Sequence, residues 1–201
     1  MNRALRIGLT GGLASGKSTV SQGLRAAGFQ VVDADRLVAE LYQPGGKGVA
    51  VVRGLFGPEA LNAEGAVDHA WVAERVFKDP QAREALERAI HPLVRERFAE
   101  IAGQARDVVV LEATLLVEAG YAPEFDFIVT VECDAPTRLA RAVSRGMDEA
   151  AARARLLAQG DGKERRDAAH RVIDNCGSLD HLRHQVDELI VELRRLAAEP
   201  E

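Results

Sequence analysis

The sequence predicts an α/β fold in which a parallel sheet of five strands is flanked by helices. Three observations carry that expectation. Short valine-rich runs alternate with segments of helical periodicity, the pattern of a parallel sheet wound by right-handed crossovers. The first apolar run passes directly into a glycine-rich loop and then a helix. Between Gly48 and Gln104 only helical patterns stand out, so the minimal sheet carries a helical insertion.

Taken in order, Leu5–Thr10 (LRIGLT) is apolar and ends at glycines, as a buried strand does. Lys17–Ala27 follows as a helix, with Val20, Leu24 and Ala27 at helical spacing and Gly28 closing it. Gln30–Val32 reads as a second strand, ended by Asp33. Arg36–Tyr42 reads as a helix stopped by the turn Gln43-Pro44-Gly45-Gly46. In the insertion, Val49–Phe56, Ala70–Phe77 and Gln81–Ile101 have helical patterns. His91-Pro92 is expected to kink the last of these or split it, because proline lacks the N–H and clashes with the preceding turn. Asp107–Leu111 and Asp126–Glu132 are a third and fourth strand, rich in valine as burial on both faces requires. Ala135–Arg145 and Glu149–Leu157 read as helices and Arg171–Asp174 as a short fifth strand. Ser178 caps a last helix striped by Leu179, Leu182, Val186, Leu189, Ile190 and Leu193.

A chain of 201 residues suits one compact domain with room for a mobile part. With 47% hydrophobic but only 4% aromatic residues, its core must be built from alanine, leucine and valine. The net charge of -5 argues against nucleic acid as the main partner. Positive charge is nevertheless concentrated from Pro136 to Arg171, with nine basic residues against five acidic ones. That suits a small anionic ligand, and a solvated helical face would have the same composition. Cys133 and Cys176 are far apart, with no CxxC or metal-ligand spacing, and each reads as a small core residue at a strand end. The start of the chain has no signal-peptide pattern, and no apolar run reaches the roughly 18 residues of a membrane span. A cytoplasmic protein without a membrane partner is expected. The sequence does not set the oligomeric state, and a monomer is compatible with it.

Gly11-Gly12-Leu13-Ala14-Ser15-Gly16-Lys17-Ser18 fits G-x-x-x-x-G-K-[ST] between a strand and a helix. Successive N–H groups in such a loop point into one concavity and bind phosphate oxygens, and the helix N-terminus adds its positive end. Lys17 neutralises the β and γ phosphates, the Ser18 hydroxyl is placed to ligate Mg²⁺, and Thr19 is within reach of the α-phosphate. The motif therefore implies ATP-type nucleotide and Mg²⁺ without naming a reaction.

Asp33 and Asp35 lie at the carboxyl end of the second strand, where an open parallel sheet borders its active crevice. A carboxylate there accepts a proton from a substrate hydroxyl or holds Mg²⁺ through water, and it also serves simply to cap the next helix. Glu112 ends the third strand as a second acidic candidate, with a buried structural carboxylate as the competing role. Arg138, Arg141 and Arg145 share one helical face and could clamp a triphosphate or form surface ion pairs. His91 reads as structural more readily than catalytic.

In this order the residues resemble the dephospho-CoA kinase family. Leu9–Thr19 (LTGGLASGKST) is similar to the family's phosphate loop, with Ala14 where glycine is usual. Val32–Arg36 (VDADR) is similar to its DAD segment and Ile90–Leu93 (IHPL) to its His-Pro motif. Glu112–Glu118 (EATLLVE) resembles its P-L-L-F-E stretch, with Thr114 for proline and Val117 for phenylalanine. Ala158-Gln159, Lys163 and Val172–Asn175 follow in the family's order, whereas His170 stands where an aspartate is usual and Gly146 where an acid is common. The resemblance implies a P-loop kinase-type fold with a core (about 1–35, 106–137 and 171–201), a helical acceptor subdomain for CoA (about 36–105) and a lid (about 138–170). It implies transfer of the ATP γ-phosphoryl group to the ribose 3′-hydroxyl of dephospho-CoA. Gly11 to Thr19, Arg141, Arg145 and Asn175 would hold ATP, with Ser18 on the metal. Asp33, Asp35, His91, Leu115 and Leu116 would face the acceptor, and Asp35, Asp33, Lys17 and Arg141 would carry catalysis. The alternatives are another small-molecule or nucleoside-monophosphate kinase, which would share the phosphate loop and the lid, and a P-loop regulatory ATPase, which would need a partner-binding surface and a water-activating residue.

Overall fold

The computed structural model describes residues 3–198. Five strands form one parallel sheet: β1 (Leu5–Thr10), β2 (Gln30–Asp33), β3 (Val108–Glu112), β4 (Phe127–Glu132) and β5 (Arg171–Asp174), in the order β2-β3-β1-β4-β5. Ile7 pairs with Val110 on one side and Phe127 on the other, so β1 is central. Its last four residues are buried, as are Val108–Leu111 of β3 and Phe127–Val131 of β4. This two-sided burial is why these strands are apolar throughout instead of alternating.

The chain divides into two compact units, one containing residues up to Val32 and from Ala102 onward, the other running from Asp33 to Ile101. In the first, helix α1 (Lys17–Ala26) follows β1 directly, and helix α9 (Leu179–Ala198) closes the fold. Leu182, Val186, Leu189 and Leu193 of α9 join Val20 and Leu24 of α1 and the strand valines in one core cluster. Leu189 and Leu193 are fully buried, so truncating either to alanine would cost about 2–5 kcal/mol. Ser178 caps α9 as expected, its hydroxyl accepting from His181 N–H at 3.2 Å. Helices α6 (Ala135–Ser144), α7 (Glu149–Ala158) and α8 (Lys163–Ala168) lie between β4 and β5 in sequence. The short α8 has no periodic apolar signal, so its pattern does not stand out in the sequence.

The second unit is helical: α2 (Ala34–Leu41), α3 (Lys47–Phe56), α4 (His69–Lys78) and α5 (Pro80–Gln104), which ends beyond it. Among the described residues its β structure is an isolated bridge, Leu61 to Val67. Tyr42, Val52, Ala60 and Val67 are buried within it, and Lys47 pairs with Glu96 at 2.7 Å. Of the two outcomes expected at His91-Pro92, a kink or a split, the split does not occur: α5 runs as one helix of 25 residues with Pro92 inside it. Ile90, Val94 and Phe98 are buried along it, and that packing outweighs the loss of one helical hydrogen bond. Among the described residues, no helix is long and apolar enough to cross a membrane.

Candidate functional site

The loop Gly11–Gly16 leaves β1 with backbone angles that few side chains permit. Gly11 has φ of 147° and Gly16 of 105°. Space is as restrictive as torsion. A Cβ on Gly11 would lie 2.4 Å from Val131 O, on Gly12 2.0 Å from an Arg138 nitrogen, and on Gly16 2.0 Å from the Asn175 amide nitrogen. The glycines are therefore required by the neighbours packed onto the loop as well as by its curvature. Ala14 has φ of 55°, the one non-glycine with positive φ among the described residues.

Side chains hold the loop carbonyls from several directions. The Lys17 ammonium bends back to donate to Gly11 O at 2.7 Å. The buried Arg138 donates from Nε to Leu13 O at 2.9 Å and from Nη2 to Gln159 Oε1 at 2.9 Å. The same Gln159 oxygen accepts from Leu13 N–H at 2.7 Å, so Arg138 and Gln159 grip both polar groups of Leu13. Asn175 donates its amide to Ser15 O at 2.7 Å and offers its own backbone carbonyl to Arg141 Nη2 at 2.9 Å. The other Arg141 terminal nitrogen, Nη1, and the Ser15 hydroxyl are buried without a hydrogen-bond partner. Ser18 is exposed on the first turn of α1, whereas Thr19 is half-buried.

The structure thus brings Lys17 and Asn175 to the loop and Arg141 to the Asn175 carbonyl. Arg145, at the end of α6, is exposed. Arg138, expected to share a phosphate clamp with Arg141 and Arg145, acts instead on the loop backbone. Burial, and then repulsion from Arg165, pull its pKa below the ordinary arginine value. Nothing in helical spacing distinguishes Arg138 from Arg141, because the distinction lies in which of them meets Leu13.

Glu112 accepts from the Ser21 hydroxyl at 2.5 Å and lies 3.8 Å from an Arg25 nitrogen, the structural pairing that competed with a metal role. Leu116 is fully buried, and a Cβ on Gly8 would sit 2.9 Å from it. Leu115 is 46% exposed and so is the one of the pair that faces solvent. Arg165 on α8 is fully buried, paired with Glu118 and with Glu132 at 3.2 Å. Three sequence-distant residues build that cluster, so no motif reveals it.

In the helical unit, Asp33 caps α2, its Oδ1 accepting from Asp35 N–H at 2.8 Å. Asp35 is exposed on the first turn. His91 is half-buried, and burial, opposed only in part by Glu87, pulls its pKa below the ordinary histidine value.

A strand, a G-x-x-x-x-G-K-S loop and a helix on a parallel sheet of this order define a P-loop kinase-type fold. The family model for dephospho-CoA kinase matches residues 5–181. The chain is 43% identical over 194 residues to the dephospho-CoA kinase of Syntrophotalea carbinolica, covering 94% of this chain and 92% of that one. A solved structure from Thermus thermophilus superposes with a TM-score of 0.81 at 34% identity, over 96% of this chain and 99% of the other. The dephospho-CoA kinase of Campylobacter jejuni shares the fold, with a TM-score of 0.72 at 24% identity over 94% of this chain and 97% of that one. The chain belongs to the dephospho-CoA kinase family. It is an ATP-dependent kinase whose nucleotide chemistry uses Mg²⁺.

Proposed function

We propose that the γ-phosphoryl group of ATP is transferred to the ribose 3′-hydroxyl of dephospho-CoA by the residues around the Gly11–Ser18 loop, with Asp33 and Asp35 serving the acceptor side. The loop carbonyls are held by Lys17, Arg138 and Asn175, an observation that favours a fixed cradle for phosphate oxygens. Its amides then need little reorganisation when phosphate arrives, which is where preorganised sites gain. Arg141 Nη1, buried and lacking a partner, is the donor best suited to an incoming anion. The residues fit ATP and Mg²⁺: the Ser18 hydroxyl is the expected metal ligand, and bound Mg²⁺ supplies charge neutralisation at the phosphates.

On the acceptor side, Asp35 orients the hydroxyl and takes its proton as the bond to phosphorus forms, while Asp33 serves the metal's water shell. His91 and Leu115 belong with the acceptor, and Arg145 with the nucleotide. A cytoplasmic location is part of the same proposal. Phosphoryl transfer is mostly positioning and electrostatics, so these roles require placement more than unusual pKa values.

The decisive assay incubates the protein with ATP, Mg²⁺ and a panel of acceptors (dephospho-CoA, AMP, CMP, shikimate and gluconate) and identifies products by mass. Dephospho-CoA should gain one phosphate far faster than the others. Equal turnover of another acceptor, or ADP without a phosphorylated product, would overturn the assignment.

A further inference from the structure

The two cysteines that the sequence keeps far apart meet in the fold. Cys133 follows β4 and Cys176 follows Asn175 at the end of β5, and parallel pairing of those strands sets their carboxyl ends side by side. The two sulfur atoms and a carboxylate oxygen of Asp134 all lie within 4.8 Å of one another. Cys133 Sγ is 3.9 Å from Asp134 Oδ2. Both thiols are free.

The surroundings support three donors acting together. Burial pushes the Cys176 thiol up to about 12, so without a cation it stays protonated; the Asp134 N–H, donating to Cys176 Sγ at 3.3 Å, opposes that shift only in part. The Asp134 carboxylate is oriented by Thr137, through its N–H at 2.8 Å and its hydroxyl at 3.0 Å. Ligating carboxylates are commonly held by such outer hydrogen bonds. The trio lines a cavity of about 420 Å³ whose wall also includes Arg138, Arg166 and Asp174. Two thiolates and a carboxylate around a divalent cation leave one net negative charge, beside a wall that carries Arg138 and Arg166 together with the carboxylates of Glu132, Asp161 and Asp174.

Tetrahedral coordination needs metal–sulfur distances near about 2.3 Å and metal–oxygen distances of about 2.0–2.2 Å. That corresponds to donor separations a little under 4 Å; Cys133 and Asp134 stand at 3.9 Å, and the other pairs lie within 4.8 Å. The fourth position would open to the cavity. Thiolates select borderline and soft cations and disfavour Mg²⁺.

We propose that Cys133, Cys176 and Asp134 form a binding site for a thiophilic divalent cation of the zinc class, separate from the Mg²⁺ of phosphoryl transfer. Two metal–sulfur bonds form, two thiol protons pass to solvent, and nothing is oxidised or reduced. The site has a direct line to the phosphate loop. Asp134 caps α6, which carries Arg138 and Arg141, and Cys176 adjoins Asn175, which holds Ser15. Occupancy would tie the ends of β4 and β5 together beside those contacts.

The test titrates Co²⁺ into the reduced full chain with Mg²⁺ in excess. One equivalent should bind with thiolate-to-cobalt charge-transfer absorption and the visible bands of tetrahedral Co²⁺, and Zn²⁺ should displace it. Cys176→Ser, at an exposed position, should weaken binding at least about tenfold and diminish the charge-transfer band. Asp134→Asn keeps the helix cap, since asparagine caps as well as aspartate, and should also weaken binding about tenfold. No charge-transfer band, or a band unchanged in Cys176→Ser, would overturn the site. So would a species two hydrogens lighter that takes up no cation, since that is a Cys133–Cys176 disulfide.

Discussion

Ala14 shows how far one side chain can depart from its preferred backbone. Its φ of 55° places a Cβ where glycine has none. A left-handed non-glycine residue costs roughly 1–2 kcal/mol, whereas glycine's extra freedom in the unfolded chain costs about 0.4–1 kcal/mol. Strain therefore outweighs the entropy that alanine saves. Ala14→Gly should raise stability by about 0.5–1 kcal/mol, or a few degrees in melting temperature for a chain of this size, and scanning calorimetry reads it directly. A lower melting temperature would mean that the loop is relaxed as it stands. The aspartates differ in a testable way at this same scale. Asp33 spends one oxygen capping α2, and Asp35 projects from the first turn. Asp35→Asn should lower kcat by roughly 10²-fold or more with little change in melting temperature or ATP affinity. Asp33→Asn should raise the Mg²⁺ concentration needed for activity. Reversed defects would exchange the two roles.

Among the elements, the starts of β1 and β4 are fastened by charge. Arg3 pairs with Asp126 through two hydrogen bonds, at 2.6 and 2.9 Å, and the Arg6 N–H adds a third at 2.8 Å. Partial burial pulls the Asp126 pKa up, but the hydrogen bonds from Arg3 and Arg6 outweigh it and leave it below the ordinary 3.8. A carboxylate with a depressed folded-state pKa contributes stability that is fully present above its unfolded value. That contribution disappears as pH falls through the folded value. Asp126→Asn should thus be less stable than the parent at neutral pH, and the difference should shrink below about pH 4. Denaturant unfolding at several pH values checks this; a gap that widens in acid would reverse the sign. Beside the start of β4, His170 does the ladder's work with a side chain: its Nδ1 accepts from Ile128 N–H at 3.0 Å, and its ring stacks on Phe127. An aspartate, the residue usual here in the resemblance, could offer an acceptor to that N–H, which gives His170 a structural reason to stand in its place.

At the scale of the molecule, what was legible in the sequence is what is local. The strand-loop-helix around Gly11–Lys17, the valine-rich strands and the α9 stripe each carry their signal in neighbouring residues, and each stands where expected. What was not legible depends on residues that only the fold brings together. Arg138 and Gln159 meet at Leu13, Arg165 meets Glu118 and Glu132, and Cys133 meets Cys176. These contacts refine the expectation of a lid over about residues 138–170. Its α8 is anchored by the fully buried Arg165, and breaking a buried ion pair by losing one partner costs about 3–5 kcal/mol. By contrast α7 buries only Ala152 fully, and Leu157 near its end is 82% exposed. Few buried contacts mean low local opening energy, so α7 should be the part that opens. Closure over a bound triphosphate would exclude water and gather the segment's positive charge around it. Hydrogen exchange should therefore be fast across residues 149–158 in the free protein and slow with an ATP analogue and dephospho-CoA together, while α8 stays protected in both states. Exchange in α7 that ligands leave unchanged would remove the lid from the mechanism, and fast exchange in α8 would show that the Arg165 pairs do not anchor it.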